Sequence, residues 1–113
     1  KIFNTIEWRA TIKENGEDSQ STFDTVEVST DGEYQKTGKV SIENKTGVPT
    51  GGMIYSDKTT LRRKFRMWRI PIPRDSVNKR DRIRGPWAKI KLSKLKPASE
   101  KMELHDLMVH FFE

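Results

Sequence analysis

The clearest structural signal in the sequence is TIEWRATIK, which occupies residues 5–13. The apolar residues of this stretch stand at every second position: Ile6, Trp8, Ala10 and Ile12. Side chains two apart lie on the same face of an extended chain, so the pattern predicts a β-strand with one buried face. Asn15 and Gly16 follow and readily take the positive φ values of a tight turn, which predicts a hairpin.

The same alternation recurs further along the chain and predicts more strands: residues 22–29, 39–43, 61–72 and 87–92. Phe23 is out of phase with Val26 and Val28, which indicates a bulge or a strand that starts after it. A brief edge strand at residues 53–55 and an exposed loop over residues 74–85 complete this part of the prediction.

The C-terminal segment carries two overlapping patterns. Leu104, Leu107, Met108 and Phe111 follow an i, i+3, i+4, i+7 spacing, which predicts an amphipathic helix capped by Ser99. Leu107, Val109 and Phe111 also alternate, as they would in a final strand. The helix is our prediction, and the strand is the alternative.

These elements predict a mainly β, α+β fold with one C-terminal helix. The strands, about five or six, are expected to form a single antiparallel sheet or a partly open barrel. A length of 113 residues predicts one domain, residues 1–113, and the absence of an initiator Met favours a domain cut from a longer protein. Only 33% of the residues are hydrophobic and 34% are charged, so we expect a thin core.

Charge is segregated along the chain. Residues 1–57 have net charge −4, residues 58–96 have net charge +13, and residues 97–113 have net charge −3. Clustered cations repel one another, so such a segment is expected to face an anionic partner. Solubility alone would be served equally well by mixed charge.

The densest part of the basic segment is residues 58–69, with six cations and no acid. Two strand registers are possible for this segment. If Trp68, Ile70 and Ile72 point inward, Trp68 belongs to the core; if Phe65 and Met67 point inward, Trp68 shares the outer face with cations and can stack on a base. The cations are available to an anion in either register.

We therefore predict a nucleic-acid-binding surface built from two strands and the loop between them. Its residues are Arg62, Arg63, Lys64, Arg66, Trp68, Arg69, Arg80, Arg82, Arg84, Trp87, Lys89 and Lys91. The alternative for Trp87 is that it covers the end of the sheet after the Gly85-Pro86 turn. The alternative for Lys89 and Lys91 is that they keep a sheet edge soluble.

Enzymatic and metal chemistry find no support in the sequence. There is no cysteine, and no serine stands in a glycine-flanked nucleophile elbow. His105 and His110 lie on opposite faces of either a helix or a strand, so they are not a local metal pair. Four carboxylates could gather on a sheet face as a metal cluster, but a solvated acidic face explains them more simply: Glu7, Asp24, Glu27 and Glu43. We expect no cofactor, no metal and no catalytic residue.

The leading functional hypothesis is a non-enzymatic domain that binds the phosphates of single-stranded RNA or DNA. No basic recognition helix is present to read a duplex, and aromatic residues lie among the cations. The alternative is a structural, matrix-like or scaffold protein that binds an anionic membrane or acidic partners and self-associates. This composition would suit a small viral RNA-binding or matrix-type protein. The lack of cysteine and of a signal peptide predicts an intracellular setting, cytoplasm or nucleus.

Overall fold

The computed structural model describes most of the chain: residues 1–18, 22–30, 32, 35–43, 55, 57–64, 67–78, 81–94 and 100–113. For Asp18, Lys64 and Glu100 it describes the backbone only. The described residues form nine strands: β1 (Ile2–Glu14), β2 (Glu17–Asp18), β3 (Thr25–Thr30), β4 (Val40–Glu43), β5 (Lys58–Thr60), β6 (Arg62–Lys64), β7 (Met67–Pro71), β8 (Ala88–Ser93) and β9 (Glu100–Phe112). No helix among them is long and apolar enough to cross a membrane.

The strands form two sheets. The long strand β1 organises the five-stranded sheet: β9 pairs with it over its whole length, and β7 and β2 pair with it on the other edge. Strand β6 extends this sheet beyond β7. The four-stranded sheet has the order β5-β4-β3-β8. The predicted single sheet is therefore wrong, because the inward apolar faces of two smaller sheets cover each other.

The two sheets share one hydrophobic core. Ile6, Trp8 and Ile70 reach it from the five-stranded sheet, and Val28 and Ile42 reach it from the four-stranded sheet. The predicted inward face of residues 5–13 is confirmed. Burial of the Trp8 indole is compatible with its polar N–H because Nε1 donates a hydrogen bond to Thr22 Oγ1 at 2.8 Å.

The first hairpin is confirmed. Glu14 pairs with Glu17, so a two-residue turn joins β1 and β2. Asn15 and Gly16 have φ values of 54° and 82°, the combination that a type I′ turn requires.

Three further strand predictions hold, with two changes. Strand β4 lies within its predicted range, β3 and β8 each extend one residue beyond theirs, and β3 begins after the out-of-phase Phe23. Residues 61–72 do not form one long strand, because Lys64 pairs with Met67 and β6 and β7 make a hairpin. Strand β5 runs parallel to β4, so the sheets are not wholly antiparallel.

The predicted C-terminal helix is wrong, and the alternative strand is observed. β9 runs antiparallel to β1 from Glu100 to Phe112. The ladder shifts register between Arg9 and Ala10, where Asp106 pairs with Arg9 and Leu104 pairs with Ala10. His105 is the extra residue of a β-bulge at this point.

The predicted exposed loop is only partly exposed. It has no strand in its described residues, but Ile83 is fully buried in the core. The Asp75 carboxylate accepts hydrogen bonds from the backbone N–H groups of Lys36 and Asn78, at 3.1 and 2.8 Å. These contacts fix the loop to the end of the four-stranded sheet.

Candidate interaction site

Two of the predicted phosphate-binding residues come together on β6 and β7. Arg62 and Arg69 are paired across the two strands and lie on the face that points away from the core. Arg69 Nε lies 3.5 Å from Glu7 Oε1, so part of its charge is already neutralised within the sheet. Arg62 is exposed at the edge.

The register of β7 places Trp68 on the inner face. It pairs with the buried Trp8, in line with Ile70, and packs partly buried against the core. The guanidinium carbon of Arg63 lies 4.6 Å from the centroid of the Trp68 ring. This cation–π contact covers the ring face that a base would need for stacking.

The other predicted cations lie elsewhere. Lys89 and Lys91 are exposed on the outer face of the four-stranded sheet, whereas Arg62 and Arg69 are on the outer face of the five-stranded sheet. Because the sheets pack through their inner faces, these two groups point to opposite sides of the molecule. The structure therefore does not bring the predicted residues onto one surface.

The remaining predicted residues fall into two groups. Arg82, Arg84 and Trp87 are exposed beside the start of β1, where Arg84 forms a bridge with Ile2 and Trp87 is 50% accessible. Arg66 and Arg80, and the side chain of Lys64, lie outside the described residues, as do residues 53 and 54 of the predicted edge strand.

Strand β9 carries the most exposed apolar surface in the described part of the chain. Its side chains account for five of the seven large apolar residues that are exposed there: Leu104, Leu107, Met108, Phe111 and Phe112. Leu104, Leu107 and Phe111 share the inner face of the strand, whereas Met108 and Phe112 lie on its outer face. Exposed apolar patches on a soluble protein mark contact sites with other molecules. The sequence pattern had identified four of these residues, but on a helix.

The apolar row on the inner face of β9 is continuous with the core. Its members pair with β1 residues that point inward: Met102, Leu104, Leu107, Val109 and Phe111. Phe111 packs at 6.1 Å, ring to ring, against Phe3, but remains 42% exposed. The four-stranded sheet therefore does not fully cover this part of the five-stranded one.

The outer face of β9 is polar apart from Met108 and Phe112, and its polar side chains contact β1. Asp106 Oδ2 lies 2.9 Å from Arg9 Nη2, and His105 Nε2 lies 2.8 Å from Thr11 Oγ1. His110 Nε2 lies 3.3 Å from Glu7 Oε1. These contacts fix β9 on β1 and leave its other edge facing outward.

The two packed sheets are joined along one side of the molecule and end in separate edge strands along the opposite side. The chain passes directly from β5 in one sheet to β6 in the other, and Thr59 Oγ1 donates a hydrogen bond to the Pro71 carbonyl at 3.1 Å. On the opposite side the sheets end at β8 and β9, and no strand pairing joins these two among the described residues. We call this the open side.

A groove of about 270 Å³ on the outer face of the four-stranded sheet is lined by both acids and lysines, among them Glu27, Lys39 and Lys91. Within the described ranges there is no group of three His, Cys, Asp or Glu side chains that could hold a metal ion.

Two comparisons relate the chain to known proteins. Residues 1–75 match the family of the Crassvirus muzzle protein C-terminal domain. The muzzle protein of Bacteroides phage crAss001 is 42% identical over 113 residues, which are 99% of this chain. The chain spans about 7% of the length of that relative.

Proposed function

The chain belongs to the family of Crassvirus muzzle protein C-terminal domains, and from this premise we propose that it is a non-enzymatic structural module of a virus particle. Its role is to hold a fixed position through contacts with other protein surfaces. The similarity to a phage muzzle protein over 99% of the chain is the observation that carries this proposal. The proposal corresponds to the scaffold alternative of the sequence analysis.

The exposed strand β9 supports a role in protein contacts. Among the described residues, no strand pairs with the second edge of β9, and an unpaired strand edge can pair with any other exposed strand. In a structural module such an edge can bind a partner strand, which forms hydrogen bonds with its backbone groups and covers its apolar side chains.

Nucleic-acid binding is a second candidate, supported by the exposed cations of β6. Arg62 and Arg63 are both exposed on this edge strand, where Arg62 points to the outer face and Arg63 lies over the Trp68 ring on the inner face. Lys89 and Lys91 lie on another surface of the molecule, so one surface can make fewer phosphate contacts than the sequence predicts. Fewer contacts give weaker and less salt-dependent binding.

Two experiments test the proposed function. Mass spectrometry of purified particles of the encoding virus should recover peptides of this chain in a fixed ratio to the other particle proteins, and their absence would contradict a structural role. Binding of the 113-residue chain to single-stranded RNA, duplex DNA and anionic vesicles should be weak at two salt concentrations. Tight, strongly salt-dependent binding to either nucleic acid would promote the second candidate, and tight vesicle binding would favour a membrane-bound module.

A further inference from the structure

The open side presents two strand edges with opposite charge. The outward face of β8 carries Lys89 and Lys91, and the outward face of β9 over residues 100–106 carries Glu103 and Asp106 beside one cation, Lys101, with Asp106 ion-paired to Arg9. Two copies of β9 would bring acids together, and two copies of β8 would bring lysines together; both arrangements are disfavoured for directly opposed strands. Pairing of β8 with β9 is the arrangement that charge favours.

The inner faces of the same two strands are both apolar. Ala88, Ile90 and Leu92 of β8 are only partly buried, and so is Met102 of β9, while Leu104 is 49% exposed. A strand pair that aligns these rows would extend the existing core across the open side. The two edges therefore match in side-chain polarity on both faces.

Within the described part of one copy, β8 and β9 are not paired with each other. β8 ends at Ser93, which pairs with Thr25 in the four-stranded sheet. β9 begins at Glu100, which pairs with Glu14 in the five-stranded sheet. The two edges are thus each held by a different sheet.

We propose that the open side is closed by a second copy of this chain, in which β8 of each copy pairs with the acidic half of β9, residues 100–106, of the other. The exchange is reciprocal, so it produces a closed two-fold dimer. This inference deepens the proposed function and rests on it, because it names the protein surface that the module contacts.

Matched charge variants test the pairing. One variant carries Lys89→Glu and Lys91→Gln on β8, and the other carries Glu103→Lys and Asp106→Asn on β9. Asn at position 106 keeps an acceptor for Arg9, which bonds to this side chain. The β8 variant lowers the net charge of the chain by three, and the β9 variant raises it by three. The control, Lys58→Gln with Arg62→Glu, shifts it by three on the joined side, where both residues are exposed.

The measured quantity is the molecular mass in solution, determined by sedimentation at chain concentrations from micromolar to millimolar. The wild-type chain and the control should form dimers of the same affinity. Each variant alone should bind itself at least about tenfold more weakly, because its β8 and β9 then have the same sign. An equimolar mixture of the two variants should recover the dimer, since each chain supplies the charge that the other lacks. Circular dichroism establishes that all chains are folded.

Three outcomes would overturn the pairing. They are a wild-type chain that stays monomeric over the whole range, a dimer that neither variant weakens, and a mixture that does not recover. A monomeric chain that is nevertheless present in purified particles would contradict the pairing and leave the proposed function intact. A chain that dimerises as described but is absent from the particles would contradict the proposed function alone.

Discussion

Replacement of Leu104 by Ala should cost little stability in dilute solution and more in concentrated solution. Leu104 lies on the inner face of β9 opposite Ala10 and is 49% exposed. A fully buried Leu→Ala change costs about 2–5 kcal/mol. Since Leu104 is buried by only about half in one copy, the expected cost in dilute solution is about 1–2.5 kcal/mol.

Ile70→Ala is the matched comparison. Ile70 pairs with Ile6 in the same sheet and is fully buried, so the change should cost about 2–5 kcal/mol at every concentration. Association stabilises the folded state by mass action, and its effect on unfolding grows with chain concentration. Because a second copy would cover Leu104, the cost of Leu104→Ala should rise toward that of Ile70→Ala as the concentration increases.

Thermal unfolding followed by circular dichroism, at two concentrations about 100-fold apart, measures both costs; for a chain of this size 1 kcal/mol corresponds to about 4 °C in Tm. The reasoning is refuted if Leu104→Ala is as costly as Ile70→Ala in dilute solution, because the row would then be buried within one copy. It is also refuted if the cost of Leu104→Ala does not depend on concentration.

Other substitutions test the turn at Gly16, the buried hydrogen bond between Trp8 and Thr22, and the exposed cations of β6. Gly16→Ala should lower stability by about 1 kcal/mol in chemical denaturation, because φ is +82° there, and an unchanged midpoint would argue against the type I′ turn. Trp8→Phe should lower the free energy of unfolding by about 1–3 kcal/mol, since it leaves the buried Thr22 hydroxyl without its donor. Adding Thr22→Val to this variant should then cost little more, and full additivity of the two changes would argue against the hydrogen bond. If the cations of β6 bind nucleic acid, Arg62→Glu with Arg63→Glu should reduce affinity for single strands and flatten its salt dependence. If Trp87, which lies apart from β6 beside the start of β1, stacks on a base, Trp87→Ala should reduce affinity by about 1–3 kcal/mol with the slope unchanged. Fluorescence titration decides this, and identical curves for all chains would exclude these residues from a binding site.

Much of the fold could be predicted because strand alternation is a local signal. Ile6, Trp8 and Ile12 are buried as the pattern at residues 5–13 indicates. Alternation shows which side chains point inward, but it does not show which strands share a sheet. The division into two sheets and the parallel pairing of β4 with β5 depend on contacts that are distant in sequence.

The error in the C-terminal element has a specific cause. Alternation along β9 is interrupted by the bulge at His105, so the inward residues Leu104 and Leu107 are three positions apart instead of two. A spacing of three is also one turn of a helix. Met108, which lies on the outer face of β9 opposite Glu7, completed an apparent helical stripe.

The binding surface was predicted from charge density, which reports position in the sequence and not position in space. Arg62 and Lys89 belong to one basic segment, but the chain crosses from one sheet to the other between them. The acidic strand β9 had no place in that prediction. Its significance depends on the free edge and on the exposed inner row, which only the tertiary structure shows.

Amide hydrogen exchange along β9 tests the central claim most directly. In the antiparallel ladder with β1, only some of the β9 amides bond to β1, and the others point to the open side. The account predicts that these outward amides of residues 100–106 exchange rapidly in dilute solution and become protected at high concentration, while those of β6 do not change. Exchange of the outward β9 amides that is the same at both concentrations would contradict it.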